Sequence, residues 1–340
     1  MKKTTISGTS PILTAENLSR SFSKGLDLSE KIARKLGVKV DERIVHAVDE
    51  VNFTVSRGEV VGLVGESGCG KSTLGRMVAG LIPPTSGQVF FQGVNPAIAK
   101  TREERLAALK VQMIFQDPYA SLNPRMKVRD IVGEAPLVHG LVGKGELNDW
   151  VASTLLRCGL DPVYMDRYPH QFSGGQRQRV GIARALAVRP EFIVADEAVA
   201  SLDVSIQAQI LNLFMKLREE LSLSYLFVSH SIGVVKHISD RVLVMYLGRL
   251  VEEGRTEEIF ATPNHPYTKA LLREVPRLED RKATYNPVQG EIPSPLDPPS
   301  GCHFHPRCPF AMPRCGDTVP KLVEIAPGRR SACHLNSSLS

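Results

Sequence analysis

Continuous apolar runs alternate with helical patterns through roughly the first 260 residues. Residues 60–64 and 192–195 are apolar runs, which is typical of parallel strands buried on both faces of a sheet. Apolar positions recur at helical spacing over 74–81 and 180–186, and each of these stretches follows a glycine-containing loop. This succession of strand, loop and helix predicts an α/β fold.

A different pattern lies at the beginning of the chain. Residues 12–22 and 46–55 read as strands, and the alternation within 51–55 is that of a half-buried antiparallel strand. The charged segment 23–43 predicts a surface insertion. Residues from about 119 to 160 mix helix formers with loop signals and predict a separate helical lobe.

The last part of the chain has another texture. Residues 242–246 and 250–252 predict the two strands of a hairpin, but from 262 onward proline becomes frequent and apolar periodicity is lost. This change predicts a domain boundary. Because such a tail buries little apolar area, we expect it to need an additional staple.

Charge and length add only broad limits. The 340 residues carry a formal net charge of +6, but lysine and arginine are scattered among acidic residues. A solvated surface is therefore favoured over a surface for nucleic acid or anionic membrane. No run of eighteen apolar residues occurs, and the start MKKTTISGTS lacks the apolar segment of a secretory signal, so a cytosolic location is expected.

The stretch GESGCGKS fits the phosphate-binding pattern G-x-x-x-x-G-K-[ST] between a strand and a helix. In such a loop, backbone N–H groups and the helix dipole favour phosphate oxygens. Lys71 would reach the β- and γ-phosphates, and Ser72 would hold Mg²⁺. The alternative is a glycine turn without a ligand. The predicted loop consists of Gly65, Glu66, Ser67, Gly68, Cys69, Gly70, Lys71, Ser72 and Thr73.

Cys69 lies inside this loop at a helix N-terminus. The dipole and Lys71 are expected to lower the pKa of its thiol, and bound nucleotide is expected to block its alkylation. The alternative is that a small residue simply fits there.

Polar side chains follow three predicted strands at the point where each strand ends: Gln116, the pair Asp196 and Glu197, and His230. The carboxyl ends of parallel strands meet at one edge of a sheet, where α/β proteins bind ligands. Adjacent carboxylates on an extended backbone point apart. Asp196 can therefore act on Mg²⁺ through water, and Glu197 on an attacking water. The alternatives are a surface acid pair and a structural histidine.

A second anion-binding helix start is predicted at Ser173, Gly174, Gly175 and Gln176, which precede an amphipathic helix. Taken alone, this stretch is more often a turn with an N-cap.

Four of the six cysteines crowd the tail: Cys302, Cys308, Cys315 and Cys333. In a reducing compartment, such crowding indicates a metal before disulfides. The spacing lacks the C-x₂-C pair common in zinc sites, and His303, His305 and His334 are alternative ligands. An iron–sulfur cluster, structural zinc, and free or disulfide-bonded thiols all remain open.

Over roughly residues 10–260, the chain resembles the ATP-binding subunits of ABC transporters. The motifs that carry the resemblance occur in the order of that family: GESGCGKS, Gln116, FSGGQ, FIVADE, SLD and His230. The resemblance implies ATP hydrolysis with Mg²⁺. It implies that residues 65–72, which include Lys71, form the Walker A loop, that Gln116 is the Q-loop glutamine, and that residues 173–176 are the signature. It also implies that Asp196 is the Walker B aspartate and Glu197 the catalytic base. Asp203 would be the D-loop residue, and His230 the switch histidine.

Further contacts are implied by the same resemblance. Ser72, Gln116 and Asp196 would hold Mg²⁺, and Phe22 would stack on adenine. In this family, the signature of one subunit closes over ATP held by the Walker A loop of the other.

The segments PNHPYTKALL and GEIPSPLDPPSGCHFHPRC resemble the C-terminal extension of dipeptide and oligopeptide importers. Relatives with this extension also take nickel complexes, glutathione or opine-like compounds, and some are understood to carry a [4Fe–4S] cluster there. A soluble ABC ATPase acting on ribosomes or DNA is the alternative class.

The resemblance implies a P-loop ABC ATPase core over 1–261, with an antiparallel β subdomain and a helical subdomain at about 117–180. It implies a small irregular extension over 262–340. The expected assembly is a heterodimer with a paralogous ATPase, bound to two permeases at the cytoplasmic face of the bacterial inner membrane. An extracytoplasmic binding protein would feed the permeases, and nucleic acid is not an expected partner.

Overall fold

The computed structural model describes residues 10–23, 44–117, 119–273 and 290–338. The predicted insertion lies almost entirely outside the described residues. The strands are β1 Leu13–Ser23, β2 Ile44–Val55, β3 Val60–Val64, β4 Ser86–Phe91, β5 Val111–Ile114, β6 Phe192–Asp196, β7 Ser224–Val228, β8 Arg241–Tyr246, β9 Arg249–Arg255, β10 Val323–Ala326 and β11 Arg329–Ser331.

The helices are α1 Lys71–Val78, α2 Arg102–Ala108, α3 Val128–Val138, α4 Leu147–Arg157, α5 Gly174–Leu186, α6 Val204–Leu221, α7 Ile232–Ile238, α8 Thr256–Ala261, α9 Pro266–Arg273 and α10 Pro313–Asp317. Short 3₁₀ turns occur at Pro96–Ile98, Pro162–Asp166, Pro169–Gln171, His305–Arg307 and His334–Ser338. No described helix is both long enough and apolar enough to span a lipid bilayer.

The main sheet has eight strands within the described residues, in the order β10-β11-β9-β8-β3-β7-β6-β5. β3 runs parallel to both β7 and β8, and β6 runs parallel to both β5 and β7. Every residue of β3, β6 and β7 is buried, as their apolar sequences predict. The predicted hairpin is confirmed, because β8 and β9 pair antiparallel.

A smaller antiparallel sheet, β2-β1-β4, packs beside the main sheet. Its apolar side chains share one core with α1 and with one face of β3, which includes Phe53, Leu63 and Leu74. The helix that follows the phosphate loop is therefore packed between two sheets.

The helices α3, α4 and α5 pack together around Val132, Val151, Leu155 and Val180. This cluster is continuous with the side chains of β6 and β7. The helical region thus shares its core with the main sheet through α5, and the limits of a separate lobe at 117–180 stay a prediction.

The C-terminal extension is not irregular throughout. β11 pairs antiparallel with β9, and β10 pairs with β11, so the main sheet continues into the extension. The ion pairs of Arg329 with Glu252 and of Arg330 with Glu253 join the same strands. An open edge at β9 offers backbone partners that the sequence pattern of the tail does not reveal. The main sheet contains strands from both sides of residue 262, so the sheet does not mark a boundary there, and the domain boundary at 262 stays a prediction.

Candidate nucleotide-binding site

The predicted phosphate loop connects β3 to α1, at the carboxyl edge of the main sheet. Gly70 has a left-handed φ of 105°, and a β-carbon built there would overlap the carbonyl oxygen of Ala47 on β2. A β-carbon at Gly65 would overlap the carbonyl oxygen of Met245 on β8. Glycine is required at these two positions because neighbouring backbone closes on the loop from both sides.

The Lys71 side chain is buried inside this loop. Its Nζ donates hydrogen bonds to the carbonyl oxygens of Gly65, at 2.8 Å, and Glu66, at 2.9 Å. The ammonium group is therefore anchored to the first two residues of the loop and supplies a positive charge within it.

Ser72 on α1 and Asp196 on β6 place two side-chain oxygens side by side, where both could be ligands of a metal ion. The Ser72 hydroxyl donates to Asp196 Oδ1 at 2.9 Å. Burial raises the pKa of the Asp196 carboxyl, and the hydrogen bond from Ser72 opposes this effect. Mg²⁺ in nucleotide sites is bound by one or two protein oxygens together with phosphates and water, so this donor set fits Mg²⁺.

Glu197, Gln116 and His230 meet at the same edge. Gln116 Nε2 donates to Glu197 Oε2 at 2.7 Å, and His230 Nδ1 lies 3.3 Å from the same oxygen. Glu197 has a φ of 47° and donates its backbone N–H to Val228 O, so the chain turns sharply where β6 ends. The ends of β5, β6 and β7 thus bring together three side chains that are far apart in sequence.

The FSGGQ stretch forms the start of α5. The Ser173 hydroxyl accepts from the Gln176 N–H at 3.4 Å, and Gln176 Oε1 accepts from the Ser173 N–H at 3.0 Å, which is a capping box. A β-carbon at Gly175 would overlap Ile206 of α6, whose N-cap residue is Asp203. The starts of α5 and α6 are therefore packed together, and Ser173 and Asp203 are both exposed.

Phe22 lies on the strand pair that borders the phosphate loop. It pairs with Val45, two residues before Ala47, whose carbonyl oxygen lies against Gly70. The residue Phe22 is 39% exposed, and the guanidinium of Arg20 lies 4.7 Å from the centroid of its ring. An exposed aromatic face near the loop is compatible with the predicted stacking on a base.

The expected low pKa of Cys69 is wrong. The thiol is buried, and burial raises its pKa more than the positive charge of Lys71 lowers it. Because desolvation penalises the thiolate, burial outweighs the helix position that the sequence reveals.

The four tail cysteines are free thiols that lie near enough to one another to affect each other's pKa. Burial raises the pKa of Cys302 to about 11, and the charges of Cys315, Cys333 and Cys308 also raise it. Across the described residues, however, no three His, Cys, Asp or Glu side chains are arranged to hold a metal ion. The expected iron–sulfur cluster, and zinc as its alternative, find no support in this arrangement.

Each of the three histidines considered as alternative ligands contacts backbone through one of its two ring nitrogens. Ring nitrogens of His303, His305 and His334 lie 2.8–3.0 Å from the carbonyl oxygens of Leu247, Cys302 and Thr318 respectively. In each case one ring nitrogen is used as a donor to backbone.

Sequence reasoning missed two residues that contact the phosphate loop. The Glu66 N–H donates to the Tyr267 hydroxyl at 2.9 Å, and the Glu66 carboxylate accepts two hydrogen bonds from Arg307. Both partners lie in motifs of the extension, HPYT and HPRC, but nothing in the spacing of these motifs indicates a contact with the loop.

Known proteins with similar sequences match both parts of the chain. Residues 48–200 match the ABC transporter family, and residues 251–315 match the C-terminal region of oligopeptide/dipeptide transporters. The putative oligopeptide transport ATP-binding protein YkfD of Bacillus subtilis (strain 168) is 52% identical over 299 residues, which cover 86% of this chain and 91% of YkfD. The chain belongs to the ABC transporter ATP-binding proteins. The oligopeptide transport ATP-binding protein AppF of the same organism is 51% identical over 299 residues, with 86% and 90% covered.

Solved structures agree with this ABC ATPase fold. The ATP-binding cassette MJ0796, in a dimeric post-hydrolysis state bound to ADP and Pi, has a TM-score of 0.60 at 27% identity. That match covers 72% of this chain and 98% of MJ0796. CbiO1 of Clostridium perfringens, part of the ABC transporter complex cbiONQ, also has a TM-score of 0.60 at 27% identity, with 74% and 91% covered. The predicted α/β P-loop fold and ABC ATPase class are confirmed.

Proposed function

We propose that this ABC ATPase powers the import of di- or oligopeptides by hydrolysing ATP at the 65–72 loop. The observation that carries the proposal is the convergence of Ser72, Asp196 and Glu197 at the edge of the sheet where the loop lies. The peptide class is supported by the C-terminal region and by the named relatives.

In this proposal, the loop amides and Lys71 bind the β- and γ-phosphates. Ser72, Asp196 through a water, and Gln116 would hold Mg²⁺, which neutralises charge on the phosphates when bound. Phe22 stacks on the adenine ring, as aromatic side chains stack on bases in other nucleotide sites.

Glu197 is proposed as the general base, which orients the attacking water and accepts its proton. Gln116 and His230 already contact its carboxylate. Gln116 thereby links the metal ligands to the base, and His230 is placed to approach the γ-phosphate. Hydrolysis depends on all three side chains staying at this edge.

The exposed starts of α5 and α6 are proposed to act on a second ATP. Residues 173–176 would contribute hydrogen-bond donors, and Asp203 would lie at the junction between two ATPase subunits. Because Ser173 and Asp203 are exposed in the single chain, they are available to ATP held by a partner subunit. We infer that the partner is a paralogous ATPase and that the two form a heterodimer.

Replacement of Glu197 by Gln tests the catalytic assignment. The amide is nearly the same shape but cannot accept the proton, so hydrolysis is expected to fall by about 10²–10⁴-fold while ATP binding persists. ATP-dependent dimers should then accumulate, as measured by phosphate release and gel filtration. Glu191→Gln at the opposite end of β6 is the control and should hydrolyse ATP normally. Parental turnover by Glu197→Gln would show that another group is the base.

We propose that the subunit binds two permeases at the cytoplasmic face of the bacterial inner membrane. An extracytoplasmic binding protein would deliver the substrate to the permeases from the opposite side. The 262–340 extension is proposed as a separate functional region beside the 1–261 core. Nickel complexes, glutathione and opine-like compounds are the alternative cargoes, because the other subunits choose the substrate.

Purification of the tagged chain from gently solubilised membranes tests this assembly. Two permeases and a second ATPase are expected to co-purify with it. In a second experiment, deletion of the gene is expected to abolish uptake of labelled oligopeptides. If the deletion strain still takes up dipeptides and oligopeptides but no longer takes up nickel or glutathione, the proposed peptide substrate would be wrong. Recovery of nucleic acid or ribosomes without permeases would instead favour the soluble ABC ATPases.

We also propose that Cys302, Cys308, Cys315 and Cys333 serve as a structural [4Fe–4S] site, with zinc as the alternative. The proposal is supported by the closeness of the thiols, although the described arrangement is not that of a metal site. Thiols must lose protons and draw together to bind metal. Iron and sulfide analysis of anaerobically purified protein, compared with the four-serine variant, tests it. Colourless protein with neither iron nor zinc would contradict it.

A further inference from the structure

Glu66 is held by three groups, two of which, Tyr267 and Arg307, lie more than 200 residues away in the sequence. Its backbone N–H donates to the hydroxyl of Tyr267, and its backbone carbonyl accepts from Lys71 Nζ. Its two carboxylate oxygens accept from Arg307 Nη1 and Nη2, at 2.8 and 2.9 Å. The second residue of the phosphate loop is therefore fixed to the C-terminal extension by a bidentate ion pair.

The Arg307 side chain is itself rigidly placed. It is only 4% exposed, and its Nη1 also contacts the Tyr246 hydroxyl at 3.3 Å. The turn His305–Arg307 is closed by hydrogen bonds from His305 N to Cys302 O and from Arg307 N to Phe304 O. A guanidinium held in this way presents a fixed fork to one carboxylate.

The rings around this turn leave little room for adjustment. Phe304 is 1% exposed and packs against Tyr246 and Tyr267, with centroid distances of 5.3 and 5.4 Å. Tyr246 and Tyr267 are themselves 4.6 Å apart. These rings pack the extension against the end of β8, in addition to the ion pair between Arg307 and the loop.

We propose that Arg307 is a positioning residue for ATP, which acts through Glu66 on the phosphate loop. This inference rests on the proposed function, in which that loop binds the triphosphate. Lys71 is anchored to the carbonyl oxygens of Gly65 and Glu66, so a displacement of Glu66 displaces the anchor of the lysine. The C-terminal extension is in this way a component of the nucleotide site.

The competing explanation is that the ion pair only fastens the extension to the core. Arg330 provides a control for that explanation, because it also pairs an extension residue with a core carboxylate, Glu253, but it lies on β11, away from the phosphate loop. A fastening role predicts equal effects of the two arginines on ATP affinity. A positioning role predicts an effect of Arg307 alone.

The test measures equilibrium binding of a fluorescent ATP analogue with Mg²⁺ to the full chain, and thermal unfolding of each variant. Arg307→Ala is expected to raise the Kd about tenfold, a change of about 1.4 kcal/mol, and Arg307→Lys about threefold. Arg330→Ala should leave the Kd within twofold of the parent even where it lowers the melting temperature.

A double-mutant cycle with Glu66→Gln tests whether Arg307 affects ATP binding through Glu66. If Arg307 acts through Glu66, Arg307→Lys should have little further effect on Kd once Glu66 is replaced. These two conservative variants carry the test where Arg307→Ala does not fold. An unchanged Kd in all Arg307 variants, an equal rise in Arg330→Ala, or additive effects in the cycle would each overturn the proposal. Failure of the parent chain to bind the analogue would instead refute the proposed function, and this inference with it.

Discussion

His265 is expected to limit the stability of this protein in acid. The ring is fully buried, and its Nδ1 accepts the backbone N–H of Tyr267 at 3.1 Å. A proton on Nδ1 would break that hydrogen bond, so the folded protein holds the ring neutral, with its proton on Nε2. Burial, together with a smaller effect of the positive charge of Lys269, lowers the pKa of His265 from 6.5 to about 3.

The size of the effect follows from this pKa. Below pH 6.5 the unfolded chain binds a proton on His265 that the folded chain does not, so stability is present above pH 6.5 and is lost as the pH falls toward 3. Each pH unit within that window costs about 1.4 kcal/mol. From pH 7 to pH 5, His265 should therefore reduce the free energy of unfolding by about 2 kcal/mol.

The prediction can be isolated with His265→Asn, whose amide oxygen replaces Nδ1 as the acceptor but does not titrate. Urea unfolding followed by circular dichroism at pH 7 and pH 5 gives the pH dependence of each protein. The loss between the two pH values should be about 2 kcal/mol smaller in His265→Asn than in the parent, whereas exposed His237→Asn should match the parent. Equal losses in His265→Asn and the parent would refute the reasoning.

Two further outcomes follow from buried groups. Phe304→Ala should destabilise the protein by about 3–5 kcal/mol and increase amide hydrogen exchange in 290–338, since it removes a ring packed against Tyr246 and Tyr267. Phe310→Ala, at a 56% exposed position in the same extension, should change stability by less than about 0.5 kcal/mol, and an equal effect would contradict the packing account. Cys69 should be alkylated slowly at pH 7 and faster at higher pH, because burial raises its pKa, and Mg²⁺ with ATP should slow it further. Peptide mapping measures this, and equal labelling with and without nucleotide would show that the thiol does not lie beneath the ligand.

Much of the core and its site could be predicted because the determining signals are local. The apolar run of β3 followed by a glycine loop and an amphipathic helix needs no distant partner to be recognised. Gln116, Glu197 and His230 could also be assigned to one edge, because each directly follows a buried strand and parallel strands end together. The contacts among their side chains follow from that placement.

The remaining features depend on contacts between distant segments. The pKa of Cys69 is set by how deeply the loop is covered, which the helix position alone does not reveal. The strand β10 has only four residues and leaves Val323 44% exposed, so its pairing with the sheet does not depend on burying an apolar face that a sequence pattern would reveal. Arg307 sits in a proline- and cysteine-rich stretch, and only the folded chain shows that its partner is Glu66.

The ion pair between Glu66 and Arg307 spans 241 residues, which orders events during synthesis of the chain. A ribosome that adds about 5–20 residues per second needs roughly 10–50 s to proceed from one partner to the other. The central strand β3 likewise waits for β7 and β8 before it has neighbours on both sides. The phosphate loop is thus made early but completed late. The contact of Arg307 with Glu66 therefore cannot form in a nascent chain before the turn His305–Arg307 has left the ribosome.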